Sequence, residues 1–304
     1  MASDARTLSG SGRGLSAARP RAWAALLLGL SAALTGSCGG QRAPAAGGGR
    51  PSVLVSVPPE AWLVRGIAGD RVDVRILLRP GATPHTYEPS MADARAADGA
   101  GLYLAVGHPR LGFETAWRAA LARGDGAGPR VVQLAAGCET EPDDPHVWLS
   151  PPCFRRMARA AEGALEALLP AGDAPALRRG ADSVVAAVDR ASAGADSLLA
   201  PYGGRAFLVY HPAWGYLARE HGLEQVSVQS GSREPGPAEL ARVFHRVREE
   251  GLHVMLVQPE TPRSETSRIA GQLGLETVVL DPLARDWPSL YLDAARALAR
   301  SWRP

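Results

Sequence analysis

The longest unbroken helical pattern in the chain runs from Asp173 to about Leu199, and it divides the remainder into two similar series. Leu177, Val184, Val185, Val188, Ala191, Ala195 and Leu198 recur at helical spacing on one face, with Asp173 placed to cap the first turn. Gly180 and Gly194 lie inside it. Each costs roughly 1 kcal/mol relative to Ala, so such a helix persists only where neighbours pack against it. Pro201 ends the pattern.

Before this helix, the predicted strands are Ser52–Val57, Val72–Leu78, Gly101–Val106 and Val131–Leu134, alternating with helices over Pro59–Ala68, Met91–Ala97, Phe113–Arg123 and Phe154–Leu169. After it come strands Ala206–Tyr210, Gln225–Val228, Val254–Val257 and Thr277–Leu280, with helices ending at Glu220 and spanning Ala238–Glu250, Ser264–Leu273 and Ser289–Trp302. Alternation of this kind predicts an α/β fold of two lobes, residues 52–172 and 201–304, joined by one long rigid helix over 173–200. In such sheets ligand groups gather just beyond the carboxyl ends of the strands, which places a site in the cleft between lobes.

The first 38 residues read as a targeting segment. Arg13, Arg19 and Arg21 precede an apolar run from Ala22 to Leu34, too short to span a bilayer comfortably. Thr35-Gly36-Ser37 then lead to Cys38 and resemble a bacterial lipoprotein signal with Cys38 as the lipidated residue; cleavage by an ordinary signal peptidase nearby is the alternative. Either route exports the mature chain, to the periplasm or the outer face of the cell membrane. Residues 39–51, rich in Gly, Ala and Pro, read as a flexible tether.

The balance of 33 basic and 31 acidic residues leaves no basic field for nucleic acid. The chain contains neither Lys nor Asn, which excludes Schiff-base lysine chemistry, a P-loop lysine and an N-glycosylation sequon. It also lacks an HExxH pair, so a zinc hydrolase, the enzymatic alternative, has no recognisable general base.

Histidines in stiff loops carry the chemistry. His85 stands in Pro84-His85-Thr86-Tyr87-Glu88-Pro89, His146 in Asp144-Pro145-His146-Val147-Trp148 and His211 in Tyr210-His211-Pro212-Ala213-Trp214. Proline restricts its own φ and that of the residue before it, so such a ring loses less entropy on coordination. His85, His211 and Asp281 each follow a predicted strand closely. Three imidazoles and one carboxylate suit a borderline cation such as Zn²⁺, with Mn²⁺ or Fe²⁺ as alternatives, and disfavour Mg²⁺ and Ca²⁺. A shell filled by His85, His146, His211 and Asp281 leaves no open position, which favours holding a metal over using one. Bland roles are assigned to His221, His245 and His253, to His108 at the cleft, and to Glu88 and Glu234 as capping or backbone-bonding groups. Tyr87, Trp148, Trp214 and Tyr216 are expected to wall the site. Cys138 and Cys153 flank the His146 loop, and a disulfide between them would clamp it.

These motifs carry a resemblance over about residues 52–300. Val57-Pro58-Pro59, Ile67-Ala68-Gly69-Asp70, the His85 and His146 motifs, His211-Pro212-Ala213-Trp214-Gly215-Tyr216, Glu234-Pro235-Gly236-Pro237 and Leu280-Asp281-Pro282-Leu283 occur in the order seen in the ZnuA/TroA-like solute-binding proteins of bacterial zinc and manganese ABC importers. The resemblance implies that His85, His146, His211 and Asp281 are the metal ligands and that the long helix is the connector between lobes. It implies a monomeric receptor, not an enzyme, that takes up Zn²⁺ (Mn²⁺ also fits) and delivers it to a membrane permease with its ATPase. The acidic segment Glu139-Thr140-Glu141-Pro142-Asp143-Asp144 lacks the histidines that zinc-specific members often carry there. Some relatives have been described as attachment proteins, which makes a surface adhesin the remaining alternative.

Overall fold

The computed structural model describes residues 49–90, 93, 97, 99–122, 128–230 and 235–302. The targeting segment with Cys38, most of the tether, most of the expected 91–97 helix and Glu234 lie outside the described residues. The first sheet comprises β1 (Ser52–Val55), β2 (Asp73–Ile76), β3 (Ala100–Ala105) and β4 (Arg130–Gln133), all parallel in the order β2-β1-β3-β4. The second repeats that order with β5 (Ala206–Val209), β6 (Glu224–Ser227), β7 (Val254–Val257) and β8 (Glu276–Val279), arranged β6-β5-β7-β8. The apolar runs of β1 and β5 are central and wholly buried, whereas the mixed sequences of β2, β4, β6 and β8 form partly exposed edges. That division is what parallel sheets covered on both faces require.

Helices α1 (Pro58–Ala68), α2 (Gly112–Ala122) and α3 (Pro151–Glu166) belong to the first series. The connector is α4 (Ala174–Leu199), and α5 (Gly215–Glu220), α6 (Pro237–Glu249), α7 (Arg263–Leu273) and α8 (Trp287–Ser301) follow. Two buried glutamates tie down strand ends near the cleft. Glu60 Oε2 accepts the N–H groups of Ser56 and Val57 at 2.8 and 3.0 Å, and Glu114 accepts those of Val106 and Gly107 at 2.7 and 2.8 Å. Burial first, then the neighbouring Glu114 charge, raises Glu60 well above the usual carboxylate range.

The connector is held from three sides, by α1, α3 and α8. Its buried face is Leu177, Ala181, Val184, Val188, Ala191, Ala195 and Leu199, while Val185 and Leu198 are only half-buried. Tertiary contact accounts for both glycines. A Cβ on Gly180 would fall 2.8 Å from the Ile67 Cα and closer still to the Ile67 carbonyl oxygen, and one on Gly194 would meet Leu292 at 2.8 Å. The helix therefore gives up intrinsic propensity to let α1 and α8 approach its backbone. The expected Asp173 cap differs: Asp173 stands at the N-cap position, but its carboxylate accepts from Arg71 Nε at 3.0 Å and makes no cap bond. Pro175, with its fixed φ, opens the helix instead.

Helix α8 returns from the second series to the first. Trp287 stacks on Phe154 (4.8 Å, 11°) and on Tyr291 (4.9 Å, 13°), and Phe154 in turn faces Trp62 at 6.1 Å. The buried indole of Trp148 donates to the Pro282 carbonyl at 2.8 Å, and Trp287 donates to the Trp148 carbonyl at 2.6 Å. One hydrophobic cluster thus runs through both series and the connector. The two halves meet across a shared aromatic seam.

Candidate metal centre

Each histidine is positioned by its own local device. Beyond β2, Ala82 N–H bonds the Arg79 carbonyl at 3.1 Å across Gly81, whose φ of +77° suits a residue without a side chain. Pro84 is buried, and the Thr83 carbonyl accepts from Thr86 and Tyr87 at 3.3 and 3.1 Å, curling His85 towards the cleft. The far end of this loop is tied by Asp93, which accepts from Ser90 N–H at 2.6 Å and from Arg79 at 3.0 Å. His211 directly follows Tyr210 at the end of β5, and its carbonyl accepts from Ala213 at 2.8 Å.

His146 is the most constrained. Asp144 Oδ1 accepts both its backbone N–H at 3.0 Å and its ring Nδ1–H at 2.7 Å. Protonation at Nδ1 leaves Nε2 as the lone-pair nitrogen, the arrangement in which a carboxylate fixes the tautomer and raises ligand basicity. The loop bearing this pair is fastened twice. A disulfide joins Cys138 to Cys153 at the start of α3, and Tyr216 Oη accepts from Glu141 N–H at 2.9 Å while donating to the Asp144 carbonyl at 3.2 Å.

The three imidazoles converge. Their ligand nitrogens lie within 4.8 Å of one another, with His85 Nε2 3.0 Å from His211 Nε2 across the two halves. Around a tetrahedral cation with bonds of about 2.0–2.1 Å, neighbouring nitrogens stand roughly 3.3 Å apart, so the cluster matches a single small ion. His146 and His211 are buried, and the His146 ring meets the enclosed Trp148 edge-on at 5.4 Å. Burial, reinforced by His146, His211 and Arg110, lowers the His85 pKa to about 3. His85 is therefore neutral and able to donate its lone pair at any ordinary pH. A small cavity lies beside His85 and His146, bordered also by Gln258 and Glu260.

Asp281 does not belong to this tight group. It follows β8, accepts from Leu283 N–H at 2.8 Å and lines an adjoining cleft of about 520 Å³. Burial raises its pKa against the effect of that hydrogen bond. Of the walls, Trp148, Trp214 and Tyr216 are buried, and Tyr87 packs edge-on against Phe113 at 5.6 Å. His108 is buried but occupied: Nε2 meets the Glu141 carbonyl at 2.9 Å and Nδ1 accepts from Arg110 N–H at 3.2 Å. His221 bonds Tyr291 Oη and Asp196, both at 3.1 Å, and Glu88 is exposed. Reasoning from sequence passed over three contributors, Asp144, Asp93 and Glu260. Asp144 has a local signal in its place two residues before His146 across a proline, and Asp93 has one in its capping-box spacing three residues after Ser90.

A family model described as "Zinc-uptake complex component A periplasmic" matches residues 53–301. The chain belongs to the ZnuA family. Relatives of the ZnuA-family chain include a putative metal-binding protein of Thermotoga maritima, 24% identical over 235 residues covering 76% of this chain and 84% of that one. The high-affinity zinc uptake system protein ZnuA of Bacillus subtilis is 24% identical over 262 residues, 78% of this chain and 79% of the relative. Among solved structures, a zinc-bound deletion mutant of ZnuA superposes with a TM-score of 0.77 at 28% identity, covering 84% of this chain and all of that one. The ZnuA family comprises metal-binding receptors of transporters, not enzymes.

Proposed function

We propose that this ZnuA-family chain captures one zinc ion between its halves outside the cytoplasm and delivers it to the permease and ATPase of an ABC importer. The observation that carries the reading is the meeting of His85 and His146 from the first series with His211 from the second. Such a shell can form only when both halves are in register, as they are here. Asp281 is the fourth donor in this reading, reaching the cation from the cleft side once charge is present to draw it in. Lobes at 52–172 and 201–304 with the connector at 173–200 supply the closing parts. Lipidation of Cys38, with the tether behind it, keeps a monomeric receptor beside its permease; no described helix is long and apolar enough to cross a membrane itself.

Native mass spectrometry of the mature chain, stripped and then offered equal Zn²⁺ and Mn²⁺, tests the reading. One zinc per chain is expected, lost in His85→Ala and His211→Ala alike. Retention of full occupancy in either variant would refute a site shared between the halves.

A further inference from the structure

We infer that Glu260 is a handover ligand, the oxygen donor that takes the cation from the open cleft and passes it to the three imidazoles. The inference rests on the zinc-binding reading above and adds a route to it. Among the described residues, Glu260 is one of two that line both spaces. It borders the small cavity with His85 and His146, and it borders the open cleft with Asp281; Leu283, the other shared residue, has no donor.

The carboxylate is held in place by its turn and by a hydrogen bond from its own backbone N–H. Thr261 N–H bonds the Gln258 carbonyl at 3.2 Å, closing a turn directly after β7 in which Pro259 occupies the second position and presets its φ. Among the described residues, Glu260 forms no ion pair; of the three arginines lining the cleft, Arg79 and Arg65 are engaged by Asp93 and the Val74 carbonyl, and Arg285 is the third. Asp281 lies near enough for its charge to act on Glu260. Two half-buried carboxylates this close repel one another, and an arriving divalent ion relieves that repulsion.

The chemistry orders the steps. A hydrated cation exchanges its first waters readily for carboxylate oxygen at the wetter end of the path. Imidazole nitrogens, softer and more buried, then hold a borderline ion more firmly. A donor that acts on the way in lowers the barrier to association and leaves the final complex nearly unchanged.

Stopped-flow mixing of the stripped, mature chain with Zn²⁺ reads the association rate through the fluorescence of Trp148, whose ring lies 5.4 Å from that of His146. A chase with excess EDTA reads dissociation. In Glu260→Gln the association rate is expected to fall about tenfold, within the range by which fixed charge accelerates capture, and dissociation to slow by about the same factor, because a donor that leaves the final complex unchanged lowers the barrier in both directions. Glu260→Asp, which keeps the charge on a shorter arm, should retain association within about threefold. An association rate equal to the unmodified chain in Glu260→Gln overturns the handover role, as does a loss confined to faster dissociation. Failure of the unmodified chain to take up zinc would overturn the underlying reading as well, so the two failures are distinguishable.

Discussion

Replacing Asp144 by Asn changes one atom's identity and leaves every metal-binding nitrogen in place. Asp144 Oδ1 accepts from His146 Nδ1 at 2.7 Å and from His146 N–H at 3.0 Å, and Asn can keep both bonds through its amide oxygen. What it loses is charge. A hydrogen bond to an ionised acceptor contributes about 1.5–3 kcal/mol against about 0.5–1.5 for a neutral one. The difference, about 1–1.5 kcal/mol, is roughly a factor of ten in metal affinity, at the lower end of the 10–100-fold usual when such a partner is removed. Asp144→Ala removes both acceptors and should cost about a hundredfold. Gly215→Ala offers an indirect version, because its Cβ would lie 2.6 Å from Asp144 Oδ2 and must displace that carboxylate. Competition against a chromophoric zinc chelator at pH 7.5 measures each effect, with the melting temperature of the stripped protein as a check on folding. Zinc affinity of Asp144→Asn within twofold of the unmodified chain, at equal apo stability, would refute the role given to this carboxylate.

Three other expectations follow from the geometry. Because the His85 pKa is lowered to about 3, His85 has no proton to give up to zinc between pH 7.5 and 5.5, and only two of the three imidazole ligands are left to contribute. Affinity should fall with pH, but the slope of log K against pH should not exceed two; a slope near three would contradict the neutral state of His85. Cys138→Ser opens a 15-residue loop, and should cost about 3 kcal/mol by the loop-entropy relation; equal melting temperatures with and without reductant would contradict the bridge. Gly180→Ala should destabilise by about 1–3 kcal/mol despite the helix propensity it adds. Its new methyl group collides with α1 backbone, which has little room to yield. A rise in the urea midpoint would refute the close approach of α1.

The fold and the three histidines were legible for a local reason. Strand and helix periods, turn residues and proline positions are imposed over a few residues, so the element order emerged from the chain almost unshifted. Val254–Val257 has the bounds the sequence predicts, and others move by one to three residues at their ends, most for Phe154–Leu169, which is observed as Pro151–Glu166. Asp173 was misjudged because a capping residue and an ion-pair partner look alike until Arg71 is seen beside it. Glu260 also follows a strand, but unlike Asp281 it lies outside every motif that marks a ligand. Its meaning comes from the spaces on its two sides.

Unaided, the sequence established that two βα series flank one long helix and that rigid, histidine-bearing loops follow their strands. Those are consequences of short-range sterics and of where apolar side chains recur. Tertiary structure alone decided that nitrogens at positions 85 and 211 approach to 3.0 Å, that Asp144 aims the third ring, and that Asp281 stands back with Glu260 at the cleft. Such distances depend on how two halves settle against a shared helix and an aromatic seam. One contact of that seam, Trp148 to Pro282, joins residues 134 apart in the chain, and no local preference encodes it.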